Sequence, residues 1–278
     1  MIECYYNLNA ALSAISGQAV TKAKLRPVSG GDINEAFLIE CNGHRLFGKR
    51  NQLSRLKDFQ SECDGLMALS KSRISTATPL ALVQEDDYAW LLLAWIDTGI
   101  KSPDFWATFG ENLARMHREI SAKQFGWGDK QRATWIEYFR QDKLLPKIKQ
   151  AWSHLDRKTR HCSNKLLNKL SERLISPDQP ELLHGDLWHG NFMVNRDGQA
   201  VLIDPNAYYG HGEADLAMTR LFGGFDSVFY QAYAEYYKLT PGFTERADIY
   251  NLYHLLNHLI LFGNAYLPDC QRVIQKYS

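Results

Sequence analysis

The chain has too few cysteines to be a disulfide framework. Its five, Cys4, Cys41, Cys63, Cys162 and Cys270, are scattered, odd in number and never form C-x-x-C, which argues against a stapled scaffold and against a cysteine zinc site. A reducing cytosol is the expected setting. Charge of one sign is also missing: 32 Lys+Arg face 31 Asp+Glu, so no global field favours nucleic acid or an anionic membrane. A small-molecule partner is expected instead. The longest apolar stretch, "YNLYHLLNHLILFG" (250–263), is too short and too rich in His and Asn to span a bilayer and reads as a buried helix. The opening "MIECYYNLNAALSAISG" lacks the basic start and apolar core of a signal peptide and is spaced like a short amphipathic helix, so a cytoplasmic location is expected. Repeats and low-complexity segments are absent.

What is present is ordinary globular usage, 45% hydrophobic and 23% charged, over 278 residues, enough for one large domain or for two lobes with a cleft. Between 24 and 50 the runs "KLRPV", "EAFLIEC" and "HRLFGKR" are separated by "SGGD" and "NG". Asn42-Gly43 marks a tight hairpin, because such a turn needs positive φ, and three antiparallel strands are predicted. Residues 55–69 place Leu56, Phe59, Cys63, Leu66 and Met67 at helical spacing, and "YAWLLLAWI" (88–96) reads as a buried strand. After "DTGIKSPD" the texture turns helical, with "FWATFGENLARMHREI" and "TWIEYFRQDKLLPKIKQAW", and "FTERADIYNLYHLLNHLILFG" is expected to close the chain. The predicted class is α+β in two lobes: a mostly antiparallel-sheet N-lobe, residues 1–96, and a mainly helical C-lobe, residues 97–278.

The segment "LLHGDLWHGN" (182–191) crowds two histidines, an aspartate and an asparagine into ten residues. It leads into two predicted strands, 192–195 and 200–203, with a turn at Asp197-Gly198. Across such a hairpin the residue before the first strand lies beside the residue after the second. Asn191 and Asp204 are therefore expected as neighbours, and their oxygens suit Mg²⁺. Asp186 stands five residues before Asn191, the D-L-x-x-x-N spacing of a kinase catalytic loop, in which the Asp accepts the hydroxyl proton while the Asn and a later Asp take metal. A kinase also needs a glycine turn over the phosphates and a strand lysine paired with a helix glutamate. Gly30-Gly31 occupies the first hairpin, where missing Cβ atoms let N–H groups approach phosphate. Lys49 falls on the third strand. Glu62 borders the apolar face of the next helix, a poor place for a bare carboxylate unless a cation meets it. Each signal alone is weak, and their shared order is what points to phosphoryl transfer.

At this point the motifs "SGGDIN", "FGK", "LLHGDLWHGN", "IDPNAYYG", "EADLAM", "LFGGF", "FYQAY" and "YNLYHLLNHLILFG" can be taken together. Over about 29–266 the chain resembles the fructosamine and ketosamine kinases, relatives of aminoglycoside and choline kinases with a protein-kinase-like fold. The resemblance implies ATP-dependent phosphorylation, with Mg²⁺, of a sugar hydroxyl, expected at O3 of a free or protein-bound ketosamine such as fructosyl-lysine or a ribulosyl amine. The phosphorylated product is unstable and releases the amine, so deglycation is the implied role. Residue by residue, it implies Asp186 as base, Asn191 and Asp204 on Mg²⁺, and Lys49 on the α/β-phosphates with Glu62 as its partner. Leu93, Ala94, Trp95 and Ile96 would form the hinge, with backbone groups of Ala94 and Ile96 at the adenine edge. Asp215 would brace the catalytic loop, His189 would face the substrate, and Trp188, a loop Trp beside the base, either covers the sugar or simply packs. The sequence departs from the family at His189, usually Ser, at Gly212, commonly Arg, at Ala94, usually acidic, and in a shortened segment after Gly126.

Other readings are open to the same residues. His184, Asp186 and His189 could ligate a metal in a hydrolase, but that leaves Gly30-Gly31, Lys49 and Glu62 without a role. His254 and His258 are four apart on the last predicted helix, yet Leu255 stands where a zinc protease needs Glu, so packed helix histidines are expected. Trp106, Trp135, Trp152 and Tyr253 are expected in the core. A nucleotide-binding pseudokinase would have lost its base or a metal ligand, and an aminoglycoside or choline is the alternative acceptor.

Overall fold

The computed structural model describes residues 2–28 and 33–278. The Gly30-Gly31 turn expected over the phosphates lies outside the described residues. In chain order the elements are β1 (Cys4–Tyr5), α1 (Leu8–Ser16), β2 (Lys24–Pro27), β3 (Glu35–Cys41), β4 (His44–Gln52), α2 (Leu56–Leu69), β5 (Ser75–Thr76), β6 (Pro79–Glu85), β7 (Tyr88–Ala94) and α3 (Phe105–Glu119). There follow β8 (Phe125–Trp127), β9 (Lys130–Arg132), α4 (Trp135–Tyr138), α5 (Leu145–Gln150), α6 (Arg157–Arg173), β10 (Glu181–Leu183), β11 (Phe192–Val194) and β12 (Ala200–Leu202). The chain closes with β13 (Tyr208–Gly210), α7 (Gly212–Met218), α8 (Ser227–Tyr236), α9 (Phe243–Phe262) and α10 (Leu267–Tyr277). These elements form two compact units, Met1–Phe105 with Phe192–Asn206, and Trp106–Asn191 with Ala207–Ser278.

The first unit is built on a sheet of order β1-β6-β7-β4-β3-β2. Asn42 (φ 48) and Gly43 (φ 80) both take the positive φ that the two-residue turn between β3 and β4 requires. The unbroken apolar run of β7 follows from having both faces covered. Trp90 and Leu92 pack with Leu8, Ala11 and Leu12 of α1, while Leu91 and Leu93 pack with Phe59, Cys63 and Leu66 of α2, as alternation along a strand demands. The hairpin β11–β12 also belongs to this unit, with β5 added in parallel beside β12. Its turn carries Gly198 at φ 75, so close to the backbone of Ile100 and Ser102 that a Cβ would not fit.

The second unit is mainly helical around a small sheet of order β10-β13-β8-β9. The segment after Gly126, expected to be shortened, is the turn and second strand of the β8–β9 hairpin. The single helix expected from "TWIEYFRQDKLLPKIKQAW" is instead α4 and α5 joined by a π-helical turn, Phe139–Leu144, in which Leu145 N–H donates to Arg140 O. Pro146 supplies a physical reason, since it lacks an N–H and its ring clashes with the carbonyl four residues back. Trp135 is fully buried and stacks parallel to Tyr208, with centroids 6.3 Å apart. The other aromatics correct the core expectation. Trp152 is at the surface beneath Arg160, and Trp106 and Tyr253 are only half-buried. Among the described residues no helix is long and apolar enough to cross a membrane.

Gly110 lets α3 approach α8, because a methyl there would overlap the Phe229 carbonyl oxygen. Gly110→Ala is expected to lower stability by about 1–3 kcal/mol, the usual cost of overpacking. Urea unfolding midpoints of the two proteins check this.

Candidate active site

In the first unit Lys49 is in register with Leu91, which turns its side chain to the α2 face of the sheet. There its Nζ, 5% exposed as a residue, lies 2.6 Å from Glu62 Oε1 and 2.6 Å from Asp204 Oδ1. Burial alone would push the lysine pKa down, but the two carboxylates outweigh it and hold the ammonium above its ordinary value. Burial likewise pushes Glu62 up, against the pull of Lys49. Asp204 follows β12 in the left-handed region, φ 53, a conformation Asp tolerates better than most residues. At the expected hinge, the Ala94 N–H donates to Thr78 O at 2.9 Å. That donor is therefore not available to an adenine edge. Leu93 is buried, Ile96 packs against the α2 cluster, and Arg45 lies over the Trp95 ring.

In the second unit the strand β10 ends at Leu183, and the chain turns at Gly185, φ 80. The turn is held by Asp215 of α7. Its carboxylate accepts from the N–H groups of His184 and Gly185 at 2.6 and 2.7 Å, and His117 Nε2 lies 3.3 Å away. Burial would raise the Asp215 pKa, and these partners overcome it, so the carboxyl stays below its ordinary value. Asp186, next in the chain, has its Oδ2 3.0 Å from Asn191 Nδ2 and its Oδ1 3.4 Å from His254 Nδ1. Here too burial is overcome, chiefly by His254, and the pKa is lowered. Asn191 Nδ2 also reaches Asp186 O at 2.8 Å. Trp188 lies over Gly190, where a Cβ would overlap its ring, and meets Phe222 edge-on. His189 is exposed and packs edge-to-face on Phe225. No group of three or more His, Cys, Asp or Glu side chains is gathered for metal binding among the described residues, so the hydrolase reading of His184, Asp186 and His189 finds no ligand set there.

The family model for fructosamine kinase matches residues 5–278. The chain belongs to the fructosamine kinase family. A relative from Lactiplantibacillus plantarum, named a probable ketoamine kinase, is 36% identical over 91% of this chain and 94% of its own. A crystal structure from Thermobifida fusca, named "putative fructosamine-3-kinase", is 30% identical and superposes with a TM-score of 0.80 over 97% of both chains. An aminoglycoside phosphotransferase in ternary complex with ADP and hygromycin B shares the fold at 15% identity, with a TM-score of 0.61 over 97% of each chain. The fold is thus protein-kinase-like, as the motif order led one to expect.

Within one unit the structure gathers Lys49, Glu62 and Asp204. Within the other it gathers Asp186, Asn191 and Asp215, with Trp188 and His189 on the same loop. Two partners escaped the sequence reading. His254, expected only to pack, touches Asp186, and His117 of α3 touches Asp215. His117 carries no motif of its own, whereas the position of His254 on the long helix α9 was its only signal.

His211 caps α7, its Nδ1 accepting from Glu213 N–H at 3.1 Å. Burial first, then Arg246 and His117, push its pKa down from 6.5 to about 3. The unfolded chain therefore binds a proton near pH 6.5 that the folded chain refuses until about 3. Stability from this site is complete above 6.5 and declines as pH falls through that window. His211→Gln should flatten the decline, read as urea midpoints measured between neutral pH and about pH 4.

Proposed function

We propose that this chain transfers the γ-phosphoryl group of ATP to a sugar hydroxyl of ketosamines. The observation that carries the reading is the ionised Asp186, held by Asn191 and His254 in a chain of the fructosamine kinase family. A carboxylate whose pKa lies below its ordinary value is ionised at neutral pH and can accept the hydroxyl proton as the oxygen attacks phosphorus. Lys49, fixed by Glu62, would neutralise phosphate oxygens. Asp215 supports the loop from behind through two backbone N–H groups. The hard oxygens of Asn191 and Asp204 fit Mg²⁺, which when bound shields phosphate charge. Asn191 directs its Nδ2 to Asp186, leaving Oδ1 as the ligand atom. Asp204 keeps its side chain 42% exposed while one oxygen meets Lys49. The reading places the enzyme in a reducing cytosol, with support from five free cysteines, and in the removal of sugar from glycated amines, the 3-phosphate product being labile.

Asp186→Asn is expected to cut kcat by about 10²-fold or more, the scale of a positioned general base, with nucleotide affinity little altered. ADP release with fructosyl amines and calorimetric nucleotide titration check the two halves, and near-normal kcat would remove Asp186 from the role. Asp204→Ala should abolish turnover, and activity should require Mg²⁺ or Mn²⁺. Turnover in excess EDTA would contradict the metal assignment. Kanamycin and choline serve as outside acceptors, and turnover of these alone would overturn the ketosamine reading.

A further inference from the structure

Lys143 is a buried cation for which the phosphoryl-transfer scheme has no use. It sits in the π-helical turn, 7% exposed, with Nζ 3.6 Å from the centre of the Tyr208 ring, 5.1 Å from Tyr253 and 5.9 Å from Tyr138. Ring faces attract the charge but do not satisfy three N–H donors. Among the described residues the Lys143 ammonium meets these three rings and no hydrogen-bond acceptor, while Lys147, one turn on, is only half-buried. Burial and the nearby Lys147 push its pKa down to about 7, against the opposing charges of Asp186 and Asp215. Lys147 flanks the same Tyr253 ring at 5.9 Å, and its Nζ donates to the neutral Asn257 Oδ1 at 2.7 Å. Two lysines thus share one ring, and among the described residues neither makes an ion pair, so a bound carboxylate would give both a charged partner and favour their protonated forms. The place is close to the reaction. The Tyr253 ring meets that of His254 at 5.0 Å, and His254 Nδ1 is 3.4 Å from Asp186 Oδ1.

We propose that Lys143 and Lys147 form a carboxylate subsite for the acceptor, so that the preferred substrates are ketosamines whose amine belongs to an α-amino acid or a short peptide. The inference rests on the ketosamine reading and narrows it. In a ketosamine the reacting hydroxyl, the keto carbon and the amine-bearing carbon are consecutive, so an α-carboxylate on the amine is held only a few bonds from the hydroxyl presented to Asp186. A lysine side chain glycated within a protein lacks a carboxylate at that reach.

The test compares kcat/KM for fructosyl-glycine and its neutral isostere fructosyl-glycinamide in the wild-type enzyme, Lys143→Met and Lys147→Gln. The glycine compound should be favoured by about tenfold or more, as for a hydrogen bond to a charged group, and the ratio should fall toward one in the variants. Equal kcat/KM in the wild type overturns the subsite, as does a ratio that survives both substitutions. So does an equal loss on both acceptors in Lys143→Met, which would assign the lysine to the sugar. Should Lys143→Met fail to fold, the wild-type ratio and Lys147→Gln decide the matter. Absence of turnover with every ketosamine refutes the underlying reading instead.

Discussion

Asp215 is a carboxylate removed almost completely from water, and such a group is tolerable only where donors replace the lost hydration. The donors are backbone N–H groups of His184 and Gly185, with His117 beside them. Hydrogen bonds to an ionised group contribute about 1.5–3 kcal/mol each, so the loop conformation and the charge stabilise one another. Asp186 follows immediately, which fixes where its carboxylate emerges. α7 is itself fixed by the His211 cap and by the bidentate pair of Arg246 with Glu213. The chain of dependence therefore runs from a buried helix charge to the backbone of a loop and then to the carboxylate of Asp186.

The first unit solves a related problem with side chains alone. Lys49 is buried between Glu62 and Asp204, and a cation so placed would be costly if either partner were lost. Two layers of apolar packing, α1 on one sheet face and α2 on the other, hold the strand and helix that carry this pair. Asp204, in the left-handed region just after β12, brings its carboxylate to the lysine. Rigidity here comes from the sheet, and the charges are positioned by it.

Much of this was legible from local pattern. The hairpin at Asn42-Gly43, the alternation in β3 and β4, the helix carrying Glu62 and the long helix α9 all follow from turn chemistry and periodicity, which depend on neighbours in the chain, whereas α10, after the helix expected to close the chain, was not foreseen. The spacing of Asp186, Asn191 and Asp204 is a property of the sequence in the same sense. The π-helical turn was not legible, because its wider hydrogen bonding emerges from a proline acting within a packed helix. The added parallel strand β1 and the sheet β10-β13-β8-β9 were likewise hidden, since strands of two or three residues have too little alternation to be read.

The sequence by itself determined the order of chemical groups and the helices and strands that carry them, because those are set by composition and short-range geometry. Tertiary structure alone decided which side chains meet. His254 and Asp186 are 3.4 Å apart although β11, β12, β13, α7 and α8 lie between them in the chain, and His117 reaches Asp215 from another helix. Lys143 carries no signal in the sequence, and it is buried because β13 brings Tyr208 over it and α9 brings Tyr253. Contacts of this kind are set by long-range packing, which no local spacing encodes.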